Sequence, residues 1–183
     1  MKLLLKTLIV ILFLANVFHP LISAQTSTSQ APYRGILPDN PLYKLQILWE
    51  RIQLRFTSNQ LQKSEKYLAF ATRELEAAEE MLSKDNESLG LHTALRGEHY
   101  ITLLVDNTKS VAYYGGRVDP KIFERSHAIY PAHQALLDRM IAKASTEAQN
   151  TLKSVKEFST RNDTELYKLE AEIKEATPPS TPK

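Results

Sequence analysis

The stretch Leu61-Gln-Lys-Ser-Glu-Lys-Tyr-Leu68-Ala-Phe-Ala71-Thr-Arg-Glu-Leu75-Glu-Ala-Ala78-Glu-Glu-Met-Leu82 decides the fold class. Its leucines recur every seven residues, with Ala71 and Ala78 between them, and that spacing returns to one face of an α-helix. A strand would need alternation with period two, and the run has none. Lys63, Glu65, Lys66, Arg73, Glu74, Glu76, Glu79 and Glu80 fall elsewhere on the helix, a pattern that reads as a face turned to water.

Upstream, Thr57-Ser58-Asn59-Gln60 has the form of a capping box, with Thr57 as cap and Gln60 reaching back, so this helix is expected to begin at about Ser58. Another precedes it. Asn40 supplies a capping oxygen, and Pro41 has its φ preset for a first helical position. Leu45, Trp49, Ile52 and Phe56 follow at i, i+4, i+7 and i+11, one apolar stripe that is expected to face the core. On that reading Trp49→Ala costs about 3–5 kcal/mol.

Downstream, Asp85-Asn86-Glu87-Ser88 is a turn, and Gly90, Ala94, Gly97, Ile101, Leu104, Thr108 and Val111 trace the next helical stripe. Glycine costs about 1 kcal/mol against alanine inside a helix, so Gly90 and Gly97 point to a close approach by another helix or by a bulky side chain such as Trp49. Gly115-Gly116 ends this helix, and Asp119-Pro120 opens the next. From Pro120 to Ala176 the apolar pattern is almost continuous. Pro131 is expected to kink it, Ser145-Thr146-Glu147 to break it, and the polar Ser159 and Asn162 within its last stripe to loosen it near residues 160–163. The fold class that follows is all-α: an antiparallel bundle of four to five long amphipathic helices over residues 36–176.

Residues 1–24 read as a secretory signal peptide: a short basic start, an apolar run from Thr7 to Phe18, and small residues at Ser23-Ala24. Residues 25–35 form a flexible polar linker and 177–183 a disordered tail rich in Pro and Thr. The 183-residue chain has 23 basic and 21 acidic residues, and removing Lys2 and Lys6 with the signal leaves 21 of each. A neutral exported chain lacks the excess of Lys and Arg on which nucleic-acid binding rests, so no nucleic-acid partner is expected. With no cysteine, disulfides, thiolate metal sites and a thiol nucleophile are excluded. Any membrane contact is expected only through the N-terminal segment, if it stays uncleaved.

Candidate chemistry is sparse. A carboxylate-bridged metal pair in a bundle needs Glu-x-x-His on two helices, and the spacing occurs once, at Glu124 and His127. His92 and His99 lie one heptad apart with Glu98 nearby, which reads as an ordinary surface pair. The serines stand in no Gly-x-Ser-x-Gly setting, and the carboxylates read as exposed, with nothing to raise one pKa selectively. Tyr113 and Tyr114, ahead of the two glycines, read as a cover at a helix end. No catalytic, cofactor-binding or metal-ligating residue is assigned.

Ile36-Leu37-Pro38-Asp39-Asn40-Pro41-Leu42-Tyr43-Lys44-Leu45-Gln46-Ile47-Leu48-Trp49-Glu50-Arg51-Ile52 resembles the opening of the domain of unknown function 5667 family, whose members are exported prokaryotic helical domains. That family's usual form is Leu-Pro-Asp-Ser-Pro, a Tyr, Leu-Lys and Trp-Glu. Ala-Thr-Arg-Glu-Leu-Glu-Ala-Ala-Glu at 71–79 is similar to its Ala-x-x-Arg-Leu-x-Glu-Ala helix, with Glu74 intruding before Leu75. The helix around His133 and the restart at Thr146 are similar to its later half, so the resemblance spans about residues 36–160. Lys44, Gln46 and Pro131 depart from it. The resemblance implies an extracytoplasmic bundle of antiparallel helices and brings no activity and no catalytic residues.

The function expected is that of a non-enzymatic protein-interaction module of the cell envelope, binding another protein or itself. A periplasmic holdase is the alternative, and a metal-binding bundle the third reading.

Overall fold

The computed structural model of the chain describes residue 33 and residues 35–176. The expected signal peptide and C-terminal tail lie outside the described residues, and the linker is described only at Tyr33 and Gly35. Five helices follow in order: α1 (Tyr43–Phe56), α2 (Gln60–Ser83), α3 (Glu87–Tyr113), α4 (Lys121–Lys143) and α5 (Thr146–Ala176). The described residues contain no strand and no helix long and apolar enough to cross a membrane. The fold is all-α.

Local chemistry sets most of the boundaries. Asn40 Oδ1 accepts from the Leu42 N–H at 2.9 Å and opens the turn leading into α1. The cap of α2 is Asn59 rather than Thr57: Asn59 Oδ1 accepts from the Gln62 N–H at 2.9 Å, while the Thr57 hydroxyl turns back to donate to the Gln53 carbonyl and accepts from Lys66 Nζ. The capping box fails because Thr57 closes α1 instead of opening α2. At the end of α2 the Asn86 N–H reaches Met81 O and the Asp85 N–H reaches Leu82 O, with Asp85 at φ 58°. The end of α3 repeats this double closure with Gly116 to Val111, Gly115 to Ala112, and Gly115 at φ 72°.

The break near Ser145 is present: α4 ends at Lys143, and Ser145 Oγ accepts from the Ala148 N–H at 3.4 Å at the start of α5. Pro131 stays inside a single helix. Residues 160–163 do not loosen; α5 runs unbroken through them. The polar pair in its stripe finds partners across the bundle, where Asn162 Nδ2 donates to Glu98 Oε1 at 2.6 Å and to Thr102 Oγ1 at 3.0 Å, and Ser159 is buried.

Helices α2 and α3 form one hairpin and α4 and α5 another, each antiparallel within itself. Across the two, α2 packs on α4 and α3 on α5. The register runs in parallel. Along α2, Glu65, Thr72 and Glu79 meet Arg125, His133 and Arg139 of α4 in turn, and along α3, Glu87, Glu98 and Lys109 meet Ser145, Asn162 and Glu165. One apolar cluster gathers Leu68, Ala71, Ile101, Leu104, Ile122, Phe123 and Leu166; the other gathers Leu75, Ala78, Ala94, Leu137, Met140, Leu152 and Val155. The heptad leucines of α2 therefore serve the core as their spacing predicts, with Leu61 at its margin. The close approach expected at the glycines is made by α2. A Cβ on Gly97 would lie 3.1 Å from Leu75 Cγ and 3.2 Å from the Ala71 carbonyl, and one on Gly90 would lie 3.0 Å from Leu82 Cγ.

Candidate functional site

The first helix is where the residues depart most from the sequence expectation. Leu45, Trp49, Ile52 and Phe56 do not face the core: they are 61%, 40%, 37% and 79% exposed, and Leu42 and Leu48 beside them are also exposed. The residues that α1 buries fully are Tyr43 and Glu50, with Leu54 packed at the edge of the core. The helix is thus seated by a polar grip, with its apolar stripe turned outward.

That grip draws on three helices. Glu50 Oε1 lies 2.5 Å from Arg73 Nη1 of α2, and Glu50 Oε2 accepts from the Tyr100 hydroxyl of α3 at 3.0 Å. Glu74, fully buried, receives Arg73 Nη2 at 2.6 Å, pairs with Arg96 Nε at 3.2 Å and accepts from the Tyr43 hydroxyl. Arg96 stacks over the Tyr43 ring with its guanidinium carbon 5.0 Å from the centroid. Two carboxylates and two guanidiniums balance in charge, and the two hydroxyls fill remaining lone pairs, the condition under which buried charges are tolerated. Burial works against the charge on Arg73, yet Glu50 and Glu74 outweigh it and hold the guanidinium above its ordinary range. Burial, then the adjoining carboxylates, drives the Tyr43 and Tyr100 hydroxyls far above the usual phenol range, so both stay protonated donors. Tyr33 feels the same surroundings and is pushed up to about 12, mainly by burial.

This corrects the reading of the α2 charges. Arg73 and Glu74 belong to the buried grip rather than to a solvated face, because a helix that docks through ion pairs needs charged residues on the face that receives it. Nor are all carboxylates exposed: Glu98 is 5% exposed, and burial, only partly opposed by hydrogen bonds from Asn162 and Ser159, raises it to about 7.

The other candidates fall apart in space. His127 does not pair with Glu124, which is exposed; its Nδ1 lies 3.1 Å from Asp163 and its Nε2 3.3 Å from Glu170, and its ring stacks on Tyr167 at 3.7 Å. Among the described residues no three His, Asp or Glu side chains are placed to hold a metal ion. His92 and His99 are exposed. Tyr113 and Tyr114 are 85% and 83% exposed and pack edge to face on each other, so they do not cover the core. Sequence reasoning passed over His133: it is 2% exposed, its Nε2 is 2.7 Å from Thr72 Oγ1, and burial lowers it to about 4. Ser126, His133, Ser159 and Asp163 line one cavity of about 20 Å³. That is room for one water. Its groups are bonded elsewhere: Ser126 donates to the Ile122 carbonyl, His133 meets Thr72, and Asp163 meets His127.

Three of the residues that carry the likeness to a family, Tyr43, Glu50 and Arg73, are thus among those that hold α1 in place. Residues 35–110 match the family described as Domain of unknown function (DUF5667). That segment of the chain belongs to it. The matched region takes in α1, α2 and most of α3, so the family segment contains the whole grip, and the likeness seen near His133 and Thr146 falls outside it. No curated protein and no solved structure matches the chain significantly.

Proposed function

We propose that the chain is an exported, non-enzymatic protein-interaction module of the cell envelope, and that the outward apolar face of α1 is its docking surface. One observation carries this reading: six large apolar side chains at 42, 45, 48, 49, 52 and 56 stand exposed along one helix whose opposite side is fixed by buried ion pairs. Exposed contiguous apolar surface on a folded domain marks contact with something else. The grip gives that surface a rigid backing, because α1 cannot rotate its stripe inward without separating Glu50 from Arg73. The signal-like start supports export. The holdase alternative calls for a concave apolar face, whereas this one is the convex side of a single helix.

The test is site-specific photocrosslinking in the native envelope from a probe residue at Leu45, with a probe at buried Leu75 as control. A discrete adduct from position 45 and none from 75 is the expected result. A smear of many clients from position 45 favours the holdase, and no adduct from either position removes the docking reading.

A further inference from the structure

Resting on that docking reading, we propose the chemistry of the partner: a helix of another protein whose apolar seam is flanked by Asp and Glu. Leu42, Leu45, Trp49, Ile52 and Phe56 are spaced 3, 4, 3 and 4 residues apart, the alternation that lets one helix set its side chains between those of a second. An extended peptide would be read with period two and would find no such seam.

The charges around the seam choose the kind of helix. Lys44, Arg51 and Arg55 stand at i, i+7 and i+11, a row along one flank, all exposed and with no ion-pair partner among the described residues. The only acid of α1, Glu50, is buried on the far side against Arg73. The outward face is therefore apolar and cationic with no anion of its own. A second copy would bring another row of three cations and nothing to offset them, so self-pairing is disfavoured. A lipid surface meets both flanks of a helix alike, and here the other flank carries Gln46 and Gln53 instead of cations. One-sided charge suits a neighbouring helix, where flanking charges set partner and orientation.

Trp49 is the chain's single tryptophan and sits in the middle of the seam, so its emission reports occupancy of this face. The full chain is titrated with a 21-residue helical peptide carrying Leu at the seam positions and Glu beside them, with the same peptide carrying Lys in place of Glu, and with phosphatidylglycerol vesicles. The expected result is a saturable blue shift with the Glu peptide, at least tenfold weaker binding of the Lys peptide, and no shift with vesicles. Arg51 and Arg55 lie outside the grip, so the double variant Arg51→Glu, Arg55→Glu keeps its fold by circular dichroism and reverses the preference between the peptides. Equal binding of the two peptides overturns the proposal, as does a shift with vesicles alone or a shift with rising protein concentration alone. If the Glu peptide fails while the Leu45 crosslink still yields one discrete adduct, the partner chemistry falls and the docking reading stands; if both fail, both fall.

Discussion

Glu50 of α1 and Arg73 of α2 meet at 2.5 Å, with the Glu50 side chain 2% exposed and that of Arg73 22% exposed. This pair joins a helix to the bundle through charge where sequence patterning expected apolar contact. Deleting one member of a buried pair leaves the other uncompensated and costs about 3–5 kcal/mol. In Arg73→Ala, α1 amides are expected to exchange hydrogen far faster than in the native chain, while the paired faces of α2 to α5 keep much of their protection. Unchanged exchange in α1 would show that the grip does not hold the helix.

The exposure of Trp49 reverses the expectation for its removal. Trp49→Ala is expected to lower stability by about 1 kcal/mol or less, whereas Leu75→Ala, at a position with no exposure, should cost about 2–5 kcal/mol. Urea denaturation followed by circular dichroism compares them, and similar losses at the two positions would place Trp49 back in a core.

Asp85 occupies a left-handed position that glycine holds at the end of α3. Asp85→Gly is expected to raise stability by about 0.5–1 kcal/mol, since a residue without Cβ meets no penalty there. Gly97→Ala should do the opposite by about 1–3 kcal/mol, because the new methyl would press on the backbone carbonyl of Ala71 at 3.2 Å and on Leu75. Denaturation midpoints moving in the same direction for both would contradict this.

Glu98 and His133 give the stability curve two opposed slopes. Glu98 is raised from 4.5 to about 7 in the fold, so the folded state binds the extra proton between these values and its stability falls as pH rises through that window. His133 is lowered from 6.5 to about 4, so there the unfolded state binds the extra proton and stability falls as pH drops. Each contribution is on the order of 3 kcal/mol, so they largely offset one another between about pH 4.5 and 6.5. Glu98→Gln should gain on the native chain as pH rises from 4.5 to 7, and His133→Gln should gain on it as pH falls from 6.5 to 4. Stability curves that stay parallel to the native one would remove either group from the linkage.

Much of the bundle was legible in the chain because its signals are local. Seven-residue spacing at Leu61 to Leu82, the glycines at 90 and 97, the stop at Gly115 and the restart at Ser145 each depend on neighbours within a turn or two. The seating of α1 was not, because its stripe satisfies the helical period whether it faces in or out. What decides the matter is the meeting of Glu50 with Arg73 and Tyr100, 23 and 50 residues away, and no periodicity encodes a pairing across such separations. Ser159 and Asn162 misled for the same reason: they read as a weak seam until Glu98 of α3 is placed opposite them.

The seat of α1 also orders events in time. A chain made from its N terminus completes α1 first, but Arg73 and Glu74 come later, and Arg96 and Tyr100 only with α3. For that interval the first helix has no place to dock, and Glu50 stays in water rather than beside a guanidinium. The α2–α3 hairpin closes quickly because its contacts are short-range. The earliest part of the domain to be synthesised is thus the last of its first three helices to settle, and its row of large apolar side chains, which docking orients but does not cover, takes a fixed direction only once α3 has emerged.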